Sequence, residues 1–303
     1  MVVGSIPIAH PSSLGLCDKF SCDSFLFAPV AQRIEHRPPE PRVGGSNPLR
    51  RVFTFLYPAC IIAAALAFIM LIPARSRASG IEAAAGVWRE GLNGNLSFDG
   101  SPLDLRHDLG YTKEERLIGR LKVHLPGWLP NMYFMATFAK FSSENTLPHP
   151  FVSGGLYFSG GVPFESHTQL NHYDIAGFYS LVPPPSRKKF NVDGGLDLRV
   201  ISFNSSITQN RTTFFTSSTI VVPLLYLGAR FRPFPLAGLE AEARGMDFGS
   251  EYYVDLIGRI KVFPVKPAFI AAGYRYDRMK IDRPDIRTDA SFTGPFVEAG
   301  LEL

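Results

Sequence analysis

Apolar and polar side chains alternate with a period of two in one segment after another from residue 79 onward. In the stretch 191–200, NVDGGLDLRV, Val192 and Val200 belong to an apolar set that opposes Asp193 and Arg199. Because successive side chains of a strand point to opposite faces, this period predicts strands with one apolar and one charged face. Nothing after residue 79 approaches 18 consecutive apolar residues, which argues against a membrane-spanning helix in this part.

The alternation defines ten candidate strands, most of them about 9–12 residues long, which is the length a tilted strand needs to cross a bilayer. The connections after the second, fourth, sixth and eighth strands are short and contain proline, and most of the others are longer and polar. We therefore predict an all-β fold, a closed antiparallel up-and-down transmembrane β-barrel of about ten strands, with eight or twelve as alternatives. The predicted strands are 81–89, 116–124, 132–141, 170–182, 191–201, 219–232, 238–248, 251–263, 267–279 and 292–303.

Four stretches carry a resemblance to a known class of proteins: AAAGVWREGLNGNLSFDGSPLDLRHDLGYTKEE (83–115), WLPNMYF (128–134), LNHYDIAGFYSL (170–181) and PLLYLGARFRP (223–233). With them, residues 80–303 resemble the outer-membrane β-barrels of Gram-negative bacteria, and more narrowly a group of small barrels. The resemblance implies a barrel in the bacterial outer membrane and no particular chemistry. Such barrels usually end in an aromatic residue that the assembly machinery reads, whereas this sequence ends in Leu303.

A secretory leader is predicted before the barrel. Arg50 and Arg51 precede an apolar run that extends to Pro73, and small residues at 76 and 78 favour cleavage between Ala78 and Ser79. The alternative is a retained single-span anchor, since about 20 apolar residues suffice to cross a bilayer. The predicted organisation is an N-terminal extension at 1–48, a signal peptide at 49–78 with a signal helix, and an outer-membrane barrel at 79–303.

The stretch VAQRIEHRPPEPRVGGSNPLRR, residues 30–51, is basic, rich in proline and without an apolar period. Its Gly-Ser-Asn-Pro, residues 45–48, is also what one reading frame of the transfer RNA T-arm sequence GGTTCGAATCC encodes. We interpret residues 1–48 as spurious or disordered, a translated transfer RNA gene end joined by a start codon placed too far upstream. On this hypothesis Leu49 is the initiator.

If the apolar faces contact lipid, the charged faces line the barrel interior. Cations and anions are then nearly balanced, and since buried charges are tolerated mainly when paired, we expect a lumen largely plugged by ion pairs. A ten-stranded barrel also lies near the size at which side chains fill the interior. The predicted lumen residues are Arg116, Arg120, Lys122, Asp174, Asp193, Asp197, Arg199, Arg230, Arg232, Glu240, Glu242, Arg244, Asp255, Arg259, Lys261, Arg275, Asp277, Glu298 and Glu302.

Three groups were weighed as sites of chemistry. His172 and Asp174 share the inward face of one strand, and a His–Asp pair near the rim could activate a water molecule, although an ordinary lumen ion pair explains them as well. The run 165–167, Glu-Ser-His, holds the residue types of nucleophilic catalysis, but adjacent residues of an extended chain point apart. The acidic loop with Asp99, Asp104, His107 and Asp108 fits no known cation-binding spacing and is interpreted as a solvated loop. No cofactor and no metal is predicted.

The body of the chain, residues 79–303, carries no net charge, since it holds twenty-three basic and twenty-three acidic residues, and it has no cysteine. This excludes a global attraction to nucleic acid, a disulfide framework and a thiolate zinc site. We expect a monomeric barrel in the bacterial outer membrane, exported through the periplasm, with membrane lipid, lipopolysaccharide and the barrel assembly machinery as partners.

Three functional readings stay open for this barrel. It is a structural or ligand-interacting protein, or a small barrel enzyme acting on protein or lipid, or a narrow channel. A soluble periplasmic lipid-binding barrel with its apolar residues turned inward is a further alternative. Trp88, Trp128 and several tyrosines fit the aromatic girdles that flank a membrane, with ordinary packing as the alternative.

Overall fold

The computed structural model describes residues 80–98, 100–126, 128–183, 186–282 and 287–303. The predicted all-β fold is confirmed: ten antiparallel strands form one closed barrel. Three short strands and one 3-10 turn, Ser186–Lys188, lie in the connections. The strands are β1 Ile81–Ser97, β2 Leu103–Asp104, β3 Glu114–Val123, β4 Asn131–Asn145, β5 Phe151–Ser153, β6 Leu156–Phe158, β7 Phe164–Ser180, β8 Phe190–Gln209, β9 Thr212–Phe234, β10 Ala237–Asp247, β11 Tyr252–Val265, β12 Ala268–Asp282 and β13 Arg287–Glu302.

The barrel closes between its first and last strands. β1 pairs with β13 from Glu82 opposite Glu302 to Ser97 opposite Arg287, while β1 pairs on its other side with β3. The short strand β2 pairs only with the last residues of β1, at the upper end of the barrel, which is the end away from the short turns. β5 and β6 form a separate hairpin. Every barrel strand therefore has two neighbours, which satisfies its backbone hydrogen bonds along the paired length.

The strands are longer than predicted. The stretch 202–218 was interpreted as a polar loop, whereas β8 continues to Gln209 and β9 begins at Thr212 after a two-residue turn at 210–211. Asn210 adopts a φ of 55°, in the left-handed region that asparagine tolerates better than most residues. Long connections do follow β1 and β4, at the end of the barrel opposite to the short turns after β3, β7, β9 and β11.

The outer surface of the barrel is apolar near the short turns and polar near the long loops. On β8, the outward residues from Val192 to Val200 are aliphatic or glycine, and those from Ser202 to Thr208 are polar. Nine residues at about 3.3 Å each, tilted by about 40°, give an apolar band roughly 23 Å tall, close to the height found in outer-membrane barrels. Large exposed side chains of this band include Leu117, Leu196, Leu198, Leu225, Leu227, Leu239, Leu256, Ile260, Ile270, Val297 and Leu301.

The predicted position of Trp88 in an aromatic girdle was wrong. This side chain is 1% exposed and points into the barrel, where its Nε1 donates a hydrogen bond to the Gly294 carbonyl oxygen at 3.1 Å. The guanidinium carbon of Arg275 lies 4.7 Å from the centre of the ring. Trp128, in contrast, is 83% exposed at the turn end, where Tyr179 donates a hydrogen bond to its carbonyl oxygen.

The predicted extension, signal peptide and cleavage position, residues 1–78 with Ser79, lie outside the described residues and stay predictions. Among the residues that are described, no helix has the length and apolar character needed to cross a membrane.

Candidate functional site: a charged lattice and an apolar head in one lumen

The centre of the lumen is occupied by Arg199, whose side chain is fully buried. It bonds Asp174 through Nε, and its other nitrogens lie 2.5 Å from an oxygen of Asp255 and 3.3 Å from one of Asp277. Arg275 joins the same two carboxylates from β12, at 2.9 Å and 3.2 Å. Two guanidinium groups thus hold three aspartates together, which the pleat permits because all five residues face inward.

Glu242 is the corresponding centre one layer closer to the turns. Its oxygens lie 2.7 Å from Lys122 Nζ, 3.1 Å from Arg244 and 3.1 Å from Arg259, and the Tyr133 hydroxyl donates to it at 3.1 Å. Arg244 also approaches Asp197 at 3.1 Å and Asp255 at 3.6 Å, which links this layer to the one above.

The layer at the turn end spans the seam between β1 and β13. Lys261 Nζ lies 2.7 Å from Glu82 and 2.8 Å from Glu240, and Arg120 contacts Glu82 at 2.5 Å and Glu298 at 2.7 Å. All these contacts form one connected set, which we call the ion-pair lattice. Its members are Arg120, Lys122, Arg199, Arg232, Arg244, Arg259, Lys261, Arg275, Glu82, Asp174, Asp197, Glu240, Glu242, Asp255, Asp277, Glu298 and Glu302.

Two of the cavities that border the lattice are small. The cavity between Arg120, Arg259 and Glu298 measures about 10 Å³, and the one beside Lys122 and Glu242 measures about 20 Å³. A cavity of about 10–15 Å³ on such a measure holds a single water molecule. Side chains fill the lumen around these two cavities, which have room for isolated water molecules.

Three of the predicted lumen residues lie apart from the lattice. Arg116 pairs with Glu90 at 3.1 Å and Glu114 at 2.8 Å near the upper end of β3. Asp193 accepts hydrogen bonds from Ser180 and Asn191, both at 2.7 Å. Arg230 is half-buried and faces the turn-end cavity.

Sequence reasoning missed the acidic groups of β1. Glu82 and Glu90 are 4% and 1% exposed and face inward with Trp88. The strand IEAAAGVWRE is rich in alanine and glycine, so its two faces differ little in polarity and the alternation does not assign them. The two glutamates are separated by an even number of positions and so lie on the same face, which could have indicated that this face is the polar one.

His172 and Asp174 do share the inward face of β7, but deep inside the lumen rather than at its rim. They are 4% and 2% exposed. Both oxygens of Asp174 are bound by Arg199, and His172 Nδ1 lies 3.6 Å from Asp277 Oδ2. In this arrangement the carboxylate neutralises a guanidinium, and a substrate at the barrel mouth cannot reach the imidazole.

A different set surrounds His167, on the outer face of the barrel above the apolar band. Its Nδ1 lies 3.0 Å from the Oγ of Ser142 on β4, and its Nε2 lies 4.0 Å from Glu165 Oε2. Ser142 is directly opposite His167 in the β4–β7 register, whereas the adjacent Ser166 is buried and points inward, as expected for neighbours on a strand. The exposed hydroxyl, imidazole and carboxylate thus come from two strands.

The upper part of the lumen is apolar. The loop 98–113 folds into the barrel mouth, where Leu105, Leu109 and Tyr111 are at most 4% exposed, and the loop after β4 adds Phe151 and Phe158 as a stacked pair with centroids 4.9 Å apart. Most outward residues at this level are polar, with the exposed Phe215 of β9 as an exception. We call this part the apolar head; its core is Leu92, Leu96, Phe98, Leu103, Leu105, Leu109, Tyr111, Phe141, Leu147, Phe151, Phe158, Phe164, Leu170, Ile201, Ile207, Met279, Ala290 and Phe292.

A cavity of about 50 Å³ lies in the head, above the lattice. Its wall is formed by aliphatic and aromatic side chains with a few hydroxyls, and two of these, Tyr111 and Thr168, hydrogen-bond each other at 2.8 Å. No charged residue lines it within the described residues.

The acidic loop is held by hydrogen bonds among its own residues. Asp104 Oδ1 accepts the backbone N–H groups of Arg106 and His107, at 2.9 Å and 2.6 Å, and Asp108 accepts that of Asp104 at 2.8 Å. Asp99 lies outside the described residues. Among those that are described, no group of three or more His, Cys, Asp or Glu side chains is placed to hold a metal ion.

The opposite mouth of the barrel holds a polar cavity of about 410 Å³. His124, in the turn after β3, and Arg230 line it together with Glu82. Burial and the nearby charge of Arg230 lower the pKa of His124, so this imidazole stays neutral at neutral pH.

No protein-family model matches the sequence, and no curated protein does. Solved structures that the fold resembles are outer-membrane β-barrels of Gram-negative bacteria. One is the outer membrane protease OmpT from Escherichia coli, at 10% identity and a TM-score of 0.45, covering 74% of this chain and 97% of that one. Another is the translocator domain of the autotransporter NalP from Neisseria meningitidis, at 11% and 0.39, covering 80% and 97%. A third is the attachment invasion locus protein Ail of Yersinia pestis, at 10% and 0.33, covering 74% and 98%.

Proposed function

We propose that this chain is an integral protein of the bacterial outer membrane that seals its own lumen and displays the apolar head outside the lipid. The apolar band holds the barrel in the membrane, with lipid and lipopolysaccharide as its surroundings. Insertion from the periplasm by the barrel assembly machinery, as a monomer, belongs to the same proposal.

The observation that carries the proposal is the filled cross-section at the level of the lattice. Ion pairs join nine of the ten barrel strands there, and β4 is tied in by two hydrogen bonds, from Tyr133 to Glu242 at 3.1 Å and from Arg275 to Thr137 at 2.8 Å. Because cations and carboxylates are interleaved, neither sign of ion meets a lining of opposite charge. A barrel of this kind serves as an anchor and a display surface rather than as a pore.

Conductance in a planar lipid bilayer tests the seal. We expect no current steps from the reconstituted protein in concentrated KCl. The double variant Arg120→Ser with Glu298→Ser removes a charge-neutral pair that borders the cavity of about 10 Å³, and it should open a measurable conductance. Steady current steps from the unmodified, heat-modifiable protein would overturn the proposal.

A second candidate, hydrolysis of esters at the cell surface, is supported by the arrangement of Ser142, His167 and Glu165. With a proton on Nε2, the imidazole can take the hydroxyl proton of Ser142 at Nδ1 while Glu165 stabilises the imidazolium. A fluorophosphonate probe tests this idea. Labelling that is lost in Ser142→Ala and retained in Ser166→Ala would support it, and no labelling above that of Ser142→Ala would exclude it.

A further inference from the structure

The wall of the head is uneven in height. The β8–β9 hairpin extends up to residues 210–211, and β12 reaches Asp282, but between them β10 ends at Asp247 and β11 begins at Tyr252. The pairing of β9 with β10 runs upward from the short turn and ends at Leu225 opposite Gly245. It stops two residues before Pro223 is reached, and Pro223 has no N–H to donate. Among the residues that the structure describes, 212–224 of β9 therefore have a strand partner only in β8, and the wall has a notch above the β10–β11 hairpin.

The cavity of the head lies directly behind this notch. Its lining comes from β1, the loop 98–113, β4, β7, β8, β9, β12 and β13, and includes nothing from β10 or β11. A smaller space of about 20 Å³ lies in the notch itself, between β9, β12 and the β10–β11 connection. Ile201, Ile220 and Ile281 line both spaces, so the two are separated only by shared apolar side chains.

The notch lies at the upper edge of the apolar band. On β9 the outward residues change there from Val221 to Thr219, and on β8 from Val200 to Ser202. The medium beside the notch is thus the boundary between the hydrocarbon of the outer leaflet and water. Tyr252 and Lys280 line the notch on the side of β11 and β12, and Glu251 lines it from the β10–β11 connection. Lys280 supplies the cation at that level, next to this one carboxylate.

We propose that the notch is a lateral portal through which the alkyl chain of a fatty acid passes from the outer leaflet into the head. The uncharged, mostly apolar cavity receives the end of the chain, and the carboxylate stays at the rim beside Lys280. The empty space of about 50 Å³ admits only the end of a single narrow chain. Met279, an unbranched side chain in the wall, can move to lengthen the space. The portal is independent of whether the lattice below it conducts.

Photochemical cross-linking tests the portal. The protein is placed in lipid nanodiscs and irradiated with palmitic acid carrying a diazirine near the end of its chain, and labelled peptides are identified by mass spectrometry. We expect labels on inward residues of β8, β9 and β12. Ile220→Trp should fill the portal and reduce this labelling at least tenfold, whereas Val221→Trp, which faces outward at the neighbouring position, should leave it unchanged.

Ile281→Trp narrows the portal from the opposite side and should give the same loss if Ile220→Trp does not fold. Lys280→Gln should weaken competition by unlabelled palmitate by up to about fivefold and leave competition by hexadecanol unchanged. Labels confined to the outer face of the band would overturn the proposal. Cross-linking of a phospholipid acyl-chain probe that free palmitate does not displace would also overturn it. Cross-linked dimers joined through residues 212–224 of β9 would do the same.

Discussion

The membrane part of the barrel and the head are built from the same strands with opposite polarity. In the first half of β8, Leu196 and Leu198 face outward while Asp197 and Arg199 face inward. Beyond Val200 the inward residue is Ile201, and the outward positions become polar. The change follows the medium outside the wall, since a strand exposes apolar side chains to lipid and polar ones to water.

The two cores also hold their strands together by different means. The lattice is a set of directional contacts in which each charge needs its partner, so the loss of one member leaves another uncompensated. The head is a hydrophobic core in which the loss of a side chain costs buried area and leaves a cavity. Substitutions in the lattice should therefore affect the whole barrel, and substitutions in the head should act locally.

The largest effect is expected from Arg199→Leu. The substitution removes the cation that touches Asp174, Asp255 and Asp277, and breaking such a buried set costs about 3–5 kcal/mol. The temperature at which the folded band converts to the unfolded band on a gel should fall strongly. Arg211→Leu, in the exposed turn between β8 and β9, is the control and should leave it unchanged. Equal conversion temperatures for the two variants would contradict a structural role of the lattice.

A pair of arginine substitutions on the outer face of β9 locates the boundary between the two parts. Leu225→Arg puts a charge in the apolar band and should cost about 2–4 kcal/mol in urea unfolding from lipid. Ser217→Arg, on the same face but at the level of the head, should cost almost nothing because its guanidinium meets water. If both variants lose the same stability, the band does not end where the polarity changes.

The smallest effect on the barrel is expected from Phe158→Ala. Phe158 is fully buried and stacks on Phe151, so its removal opens a cavity in the head. Limited proteolysis should then cut the loop 146–163, while the conversion temperature of the barrel on a gel stays within a few degrees of the original. If the loop becomes cleavable and the conversion temperature of the barrel also falls strongly, head and lattice unfold as one unit.

The strands and the inward charges could be predicted because the period of two persists wherever one face meets lipid. Residues 202–218 could not be recognised as strand, because both faces change polarity there and the turn at Asn210 leaves the chain reading as a polar loop. The statistics of membrane girdles misplaced Trp88, which instead fills the lumen beside Arg275.

Two features of the site lie beyond sequence patterns of this kind. Ser142 meets His167 only through the register of β4 against β7, and register is fixed by the closed barrel rather than by nearby residues. The notch depends on the relative heights of four strands. A pattern that assigns faces gives no information on either.

The ion-pair lattice also affects how the barrel can form. Glu82 on β1 and Glu298 on β13 both reach Arg120, although they are more than 200 residues apart in the chain. Forming contacts of such long range costs loop-closure entropy before the contacts stabilise the chain, so the seam is expected to form late and slowly. An intermediate with the seam open leaves these charges unpaired in a medium that solvates them poorly. The same contacts then make opening the finished barrel costly, so its persistence in the membrane should be set by the rate of seam opening as much as by equilibrium stability.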